Sequence, residues 1–116
     1  MNLEQTIIDV LHDIGTPPHL KGYMYVTEAV TMVHEDYSLI YNVYRNLYSQ
    51  IAEKFNTTVP RVERCIRSVV DYTYDHGDPD TLYKYFGNCI GKNTWKPTNR
   101  VFIATVVQWV RVRCTK

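Results

Sequence analysis

The feature that most constrains the fold is a stretch whose charged and aliphatic side chains fall on opposite sides of a helix, residues 61–74. An α-helix advances about 100° per residue, and with Arg61 set at zero, Arg61, Arg64 and Arg67 fall between roughly 240° and 360°. The arc between roughly 80° and 180° holds the core-type residues Val62, Ile66, Val69, Val70 and Thr73. A helix that packs the second arc on a core must therefore hold three guanidinium groups in solvent on one stripe.

A second short amphipathic helix precedes this one, and stop and start signals separate the two. Asn56 tolerates the left-handed conformation that ends a helix, Thr58 is a favoured N-cap, and Pro60 suits the first helical turn. The apolar residues of the earlier helix recur at helical spacing: Tyr48, Ile51, Ala52 and Phe55. Two such helices joined by a tight turn are the layout of a helix-turn-helix.

Arginines spaced three apart are also typical of a solvated helix face, so the charge distribution matters. The net charge of +1 hides an asymmetry between two parts of the chain. Residues 1–36 carry one lysine against six acidic residues, a balance of −5, whereas the remaining 80 residues carry 12 Lys and Arg against six acidic residues, a balance of +6. The arginine stripe therefore lies in the basic part of the chain, and attraction to phosphate requires such a concentration of positive charge.

The rest of the chain predicts an all-α fold, a compact bundle of about six helices in one domain spanning residues 1–116. A length of 116 residues fits a single domain with a modest core. Besides the helix pair, apolar periodicity and caps predict helices over 2–14, 23–35, 79–86 and 98–112, with a loop over 87–97. The last helix is apolar on most sides, so part of it is expected to meet a second copy of the protein.

Four tyrosines follow the second helix at spacings of four, three and four: Tyr37, Tyr41, Tyr44 and Tyr48. This spacing predicts one helical stripe, which we interpret as packing, because a base-stacking platform would place aromatic rings beside basic residues and only Arg45 is close in sequence. The pattern does not decide whether this helix runs unbroken into the helix-turn-helix.

Several classes of function are disfavoured by what the sequence contains. The three cysteines, Cys65, Cys89 and Cys114, match neither a disulfide framework nor a metal motif, and we expect reduced thiols. The four histidines have no metal-ligand spacing, and no nucleophile motif or glycine-rich phosphate loop occurs. No apolar run is long enough to span a bilayer. We therefore expect a cytoplasmic protein that is not an enzyme and needs no cofactor.

A series of segments resembles one known family. The segment FNTT (Phe55 to Thr58), followed by RVER (Arg61 to Arg64) and then Ile66 and Arg67, is similar to the C-terminal effector domain of the sporulation-initiation response regulator, the stage-zero sporulation protein A family. Further segments resemble that domain in the same order and at similar spacing: IGTPPHLKGY, EAVTMV, IAEKFNTT, KPTN and FIA. The resemblance covers essentially the full chain.

The resemblance implies a transcription regulator that binds double-stranded DNA with its second helix in the major groove. The positions matching base-reading residues are Arg64, which could pair with guanine, and Glu63, which could accept from the amino group of cytosine. Arg61 and Arg67 would grip phosphates or share in base reading. Where the family has serine, Pro60 has neither hydroxyl nor N–H, so a phosphate contact from that position is lost.

The resemblance also implies backbone contacts and partners. Lys96, in the KPTN segment, is the leading candidate for a phosphate contact, and Thr58 at the helix start is another. Lys21 and His19 lie in a loop that approaches DNA in the family, although a solvated loop is an equally good interpretation. A homodimer on tandem sites and the sigma subunit of RNA polymerase are the implied partners. Nothing in the chain resembles the receiver domain that such effector domains usually carry.

A different class of function fits the same pattern. An all-helical domain with a tyrosine stripe and an apolar last helix could be a protein-interaction or dimerisation module that has lost DNA binding. Salt-dependent retention of short duplexes separates the two hypotheses, because a pure docking module would show none.

Overall fold

The structure, a computed structural model, describes residues 2–87 and 96–114. These residues form six α-helices and no strand, which confirms the predicted all-α bundle of about six helices. The helices are α1 (Leu3–Asp13), α2 (Tyr23–Glu35), α3 (Ser49–Lys54), α4 (Val59–His76), α5 (Pro79–Phe86) and α6 (Asn99–Cys114).

The helix ends lie at the stop and start residues predicted from the sequence. Gly15 ends α1 with a φ of 86°, a conformation that residues with a side chain rarely adopt. Asp78 Oδ2 accepts a hydrogen bond from the Thr81 N–H at 3.0 Å, and Pro79 opens α5. Thr98 Oγ1 accepts from the Val101 N–H at 3.2 Å at the start of α6. Each cap satisfies a backbone N–H that has no partner within its helix.

The core lies where α6 packs against α1, α2, α4 and α5. The predicted buried arc of α4 is confirmed, since all five of its residues are 0% exposed: Val62, Ile66, Val69, Val70 and Thr73. In α6 the residues buried in the same core are Phe102, Ile103, Val106, Val107 and Val110. Much of the apolar surface of α6 is thus covered within the domain, and contact with a second copy stays a prediction.

The segment before α3 differs from the single helical stripe predicted from the tyrosine spacing. It forms a 3₁₀-helix over Tyr37–Asn42 and a turn of π-helix over Val43–Tyr48 that continues directly into α3. A 3₁₀-helix has about 3.0 residues per turn and a π-helix bonds each residue to the fifth along, so spacings of four and three do not stay on one face. Tyr48 is buried, but Tyr41 and Tyr44 are 75% and 53% exposed. The prediction of one packed stripe was therefore wrong, although the Tyr44 ring still contacts the Tyr48 ring.

Two other expectations are tested only in the described ranges. Cys65 and Cys114 are free thiols there, as expected, whereas Cys89 and residues 88–95 of the predicted loop lie outside them. None of the helices in these ranges combines the length and hydrophobicity needed to cross a bilayer.

Candidate nucleic-acid interface

The turn between α3 and α4 is built as the sequence predicted. The Thr57 N–H donates to the Ala52 carbonyl at 2.8 Å, and Asn56 takes a left-handed φ of 53° to end α3. Thr58 Oγ1 then accepts from the Arg61 N–H at 3.3 Å and caps α4. Four residues separate the two helices. The small residue Ala52 lies buried beside the turn. This geometry is a helix-turn-helix.

The outward stripe of α4 begins with two exposed arginines. Arg61 and Arg64 are both solvent-exposed, and neither forms an ion pair within the described parts of the chain. The opposite face of the same helix is fixed in the core, so these guanidinium groups cannot rotate inward without unpacking α4. They remain available as donors to a ligand.

Arg67, the third arginine of the stripe, is engaged within the protein. Its Nε and Nη2 donate to Asp71 Oδ1 at 3.1 and 2.9 Å, the pairing one turn along the helix that its spacing allows. Its Nη1 donates to the carbonyl of Pro97 at 3.0 Å. Arg67 therefore holds the segment before α6 against α4.

Lys96 lies on the same side of α4 as Arg67, and its ammonium group is also paired. Its Nζ is 3.0 Å from Asp75 Oδ1 and 3.6 Å from Asp71 Oδ1. The hydrogen bond to Asp75 raises the pKa of Lys96, with Asp71 acting in the same direction and desolvation opposing both. Lys96 thus stays protonated at neutral pH, but a phosphate would have to compete with two carboxylates for it.

The start of α6 is fixed to α4 by a second contact. Asn99 Nδ2 donates to the carbonyl of Glu63 at 3.2 Å, and the Asn99 Oδ1 and Tyr48 hydroxyl oxygens are both buried nearby. Burial raises the pKa of Tyr48, while the polar Asn99 side chain and the charge of Arg67 lower it by less. Tyr48, directly before α3, therefore packs where the start of α6 meets α4.

The loop that precedes α2 lies against the other side of α4. A Cβ at Gly22 would be 2.2 Å from the Cys65 carbonyl oxygen, so only glycine allows the loop backbone to lie this close. The His19 ring contacts the ring of Tyr72 edge-on, with centroids 6.1 Å apart. Lys21 is exposed at this position. The loop is therefore held against α4.

The predicted site residues fall into three groups on the surface. On the wheel of α4, Glu63 and Arg67 face the segment before α6, whereas Cys65 and Tyr72 face the loop before α2. The exposed stripe lies between these two flanks. The predicted residues thus lie on α4, at its start and on the two segments packed against it: Arg61, Glu63, Arg64, Arg67, Thr58, Lys96, Lys21 and His19.

Two residues in this region were not predicted from the sequence. A groove of about 660 Å³ beside α4 is lined by Arg100 and Tyr44 together with Arg64 and Arg67. Arg100 is 36 positions after Arg64, and the spacing of Tyr44 predicts packing, so no local pattern links either residue to the arginine stripe. The only signal for Arg100 was its place directly after KPTN.

Fold and site together define the class of protein, an all-α domain, six-helical over residues 2–87 and 96–114, that presents a helix-turn-helix between two flanking segments. Residues 7–110 match the family model described as sporulation initiation factor Spo0A C terminal. The match covers most of the 116 residues, and the chain belongs to this family of sporulation-initiation effector domains. The family is one of regulatory domains, not of enzymes.

Proposed function

We propose that this protein is a sequence-specific regulator of transcription that binds double-stranded DNA through α4. The observation that carries the proposal is the pair of exposed arginines, Arg61 and Arg64, on the N-terminal half of a helix whose opposite face is buried. A helix fits the major groove, and an arginine there can donate two parallel hydrogen bonds to O6 and N7 of guanine. Membership of the family supports the same function.

The two halves of α4 differ in charge, and this difference indicates which half enters the major groove of DNA. The C-terminal half carries Asp71 and Asp75, whose charges are offset by Arg67 and Lys96. The N-terminal half carries Arg61 and Arg64, which form no ion pair with any described residue, so a polyanion approaches it at lower electrostatic cost. Glu63 is half-buried in this half and can accept from the amino group of cytosine, which favours specificity over plain phosphate attraction.

The two flanking segments would contact the DNA backbone on either side of the groove. Lys96 approaches from the segment before α6, and Lys21 and His19 from the loop before α2. The Thr58 hydroxyl uses its oxygen to cap α4, and its hydrogen can still be donated to a phosphate. Such contacts fix the register of a helix on DNA without reading sequence.

We extend the proposal to assembly on DNA by resemblance to the family. Two copies would bind tandem sites as a homodimer, and a sigma subunit of RNA polymerase would be the protein partner. Sedimentation of the protein with duplexes carrying one or two copies of a selected site checks the first point, because cooperative 2:1 complexes should form only on the double site.

The direct test is selection of bound duplexes from a randomised pool, followed by titration of a selected and a scrambled duplex at several salt concentrations. We expect tighter binding to the selected duplex and an affinity that falls steeply with salt, because phosphate contacts release counterions. The Arg61→Ala/Arg64→Ala variant should lose both, whereas Lys84→Ala/Arg111→Ala, an equal charge change at exposed positions on α5 and α6, should not. No retention of any duplex at low salt would reject the proposal in favour of a docking module.

A further inference from the structure

The groove beside α4 contains a cation that has no assigned role in the proposed function. Arg100 is exposed at the start of α6 and lines the groove with Arg64 and Arg67. No acidic side chain pairs with Arg100 in the described ranges, whereas Arg67 is paired with Asp71. Glu63 contributes the one carboxylate of the lining, and the guanidinium groups of Arg64 and Arg100, which form no ion pair in the described ranges, outnumber it, so the groove attracts anions.

The position of Arg100 is fixed relative to α4. The Asn99 side chain is bonded to the Glu63 carbonyl, and Arg67 is bonded to the Pro97 carbonyl, so the residues just before Arg100 are tied to α4 twice. The first turn of α6 also has no acidic side chain, which leaves the positive end of its helix dipole uncompensated. The backbone beside the groove is therefore already ordered, so the binding of an anion there costs little conformational entropy.

Tyr44 supplies a neutral donor to the same groove. The ring is 53% exposed and lines the groove, and it contacts the buried Tyr48 ring edge-on with centroids 5.5 Å apart. That contact orients a side chain that would otherwise be free at the surface. Tyrosine hydroxyls and arginine guanidinium groups are both common partners of DNA phosphates.

We propose that this groove holds a phosphate of the DNA backbone, with Arg100 and Tyr44 as its ligands, while the N-terminal half of α4 lies in the adjacent major groove. The inference rests on the proposed function and adds to it a contact outside the helix-turn-helix. It assigns Arg100 to affinity and not to sequence preference, because phosphates are the same at every base pair.

The first test compares Arg100→Ala, Arg100→Lys and Tyr44→Phe with the parent protein and with Arg111→Ala. Arg100→Ala should weaken binding several-fold to selected and scrambled duplexes alike, and should reduce the slope of log affinity against log salt by about 0.9, the loss of one phosphate contact. Arg100→Lys should keep the slope, and Tyr44→Phe should weaken binding without changing the slope. Thermal unfolding should be unchanged in all four variants, because the altered groups are exposed.

The second test locates the phosphate on the DNA. Duplexes in which one phosphate at a time is replaced by a neutral methylphosphonate are titrated with the parent protein and with Arg100→Ala. One position should weaken the parent several-fold and leave Arg100→Ala unaffected, because the variant has already lost that contact.

The outcomes separate this inference from the proposed function. If the parent does not bind duplexes, the proposed function fails and this inference fails with it. If the parent binds with the expected salt dependence but Arg100→Ala keeps the parent slope, or no methylphosphonate position distinguishes the two, only this inference is overturned.

Discussion

The three arginines of α4 share one stripe but have different surroundings. Arg61 and Arg64 are exposed and unpaired within the described ranges, whereas Arg67 donates to Asp71 and to the Pro97 carbonyl. Removing Arg67 would therefore disturb the protein itself, and its effect on DNA binding could not be assigned to a lost DNA contact. Arg64 is the residue at which the base-reading hypothesis is tested most directly.

Arg64→Ala should weaken binding to a selected duplex by about 1 to 3 kcal/mol and relax the preference at one base pair. The reason is the loss of a two-bond contact to guanine, with little effect on folding because the side chain is exposed. Titration against a set of duplexes with single base-pair changes measures both quantities, with Arg111→Ala as the matched control. An unchanged preference at every base pair would show that Arg64 does not read a base.

Lys96→Ala should weaken binding to all duplexes alike and reduce the salt slope by about one. The loss of a phosphate contact is one cause, and the loss of the cation that offsets Asp75 is another, whereas Asp71 keeps its pairing with Arg67. The Lys96→Ala/Asp75→Asn double variant separates these causes in the same salt titration. Recovery of the parent affinity in the double variant would mean that Lys96 acts by neutralising Asp75 and not by binding phosphate.

At the scale of elements, the candidate interface is assembled from three segments far apart in sequence. The loop before α2 and the segment before α6 are both held against α4, the first by close backbone contact at Gly22 and the second by side-chain hydrogen bonds. The helix-turn-helix supplies the centre of the surface. The flanks depend on packing between elements, so a change that loosens packing should alter DNA binding without touching a contact residue.

Gly22→Ala is the sharpest change of this kind. The φ of −77° at Gly22 suits alanine, so the effect comes only from the added Cβ, which would be 2.2 Å from the Cys65 carbonyl oxygen. We expect a loss of about 1 to 3 kcal/mol in the free energy of unfolding, typical of overpacking, and weaker DNA binding as the loop moves off α4. Chemical denaturation measures the first effect and duplex titration the second.

Lys21→Ala provides the control in the same loop. The side chain is exposed, so unfolding should be unaffected, and only the salt-dependent part of DNA binding should weaken. A Gly22→Ala variant as stable as the parent would show that the loop can leave α4 at no cost.

At the scale of the whole molecule, the ends of three helices are joined by one cluster of polar side chains. Arg113 Nη2 donates to Asp13 Oδ2 and to the Tyr85 hydroxyl, both at 2.6 Å, and the Tyr85 hydroxyl donates to Asp13 Oδ2 at 3.1 Å. This cluster links the C-terminal ends of α1, α5 and α6. The hydrogen bond from Arg113 is the main cause that lowers the pKa of Asp13 below its ordinary value of 3.8, against the opposing effect of burial.

The lowered pKa of Asp13 makes part of the stability dependent on pH. A carboxyl whose pKa is depressed on folding stabilises the protein above its unfolded pKa, and this contribution is lost as pH falls through the folded value. Arg113→Met should therefore lower the free energy of unfolding at neutral pH, by no more than about 1 kcal/mol for such a partly exposed pair, and flatten its decline below about pH 4. Denaturation at several pH values, with Arg111→Met as control, checks this, and an unchanged acid limb would contradict it.

The sequence by itself determined the features that depend on local rules. The buried and exposed arcs of α4, the caps at Thr58, Asp78 and Thr98, and the left-handed turn at Asn56 follow from helical periodicity and from the backbone preferences of single residues. The resemblance to a family of known regulators was also carried by segments that can be read directly from the chain.

Only the tertiary structure decided which cations are available and which residues share a surface. It pairs Lys96 with Asp75, bonds Arg67 to the Pro97 carbonyl, brings Arg100 beside Arg64, and exposes Tyr44 in a segment that changes from 3₁₀ to π geometry. Each of these depends on distances between elements that are separated by many residues, or on a helix geometry that departs from 3.6 residues per turn. Periodicity along the chain has no information on either, because packing between helices fixes them.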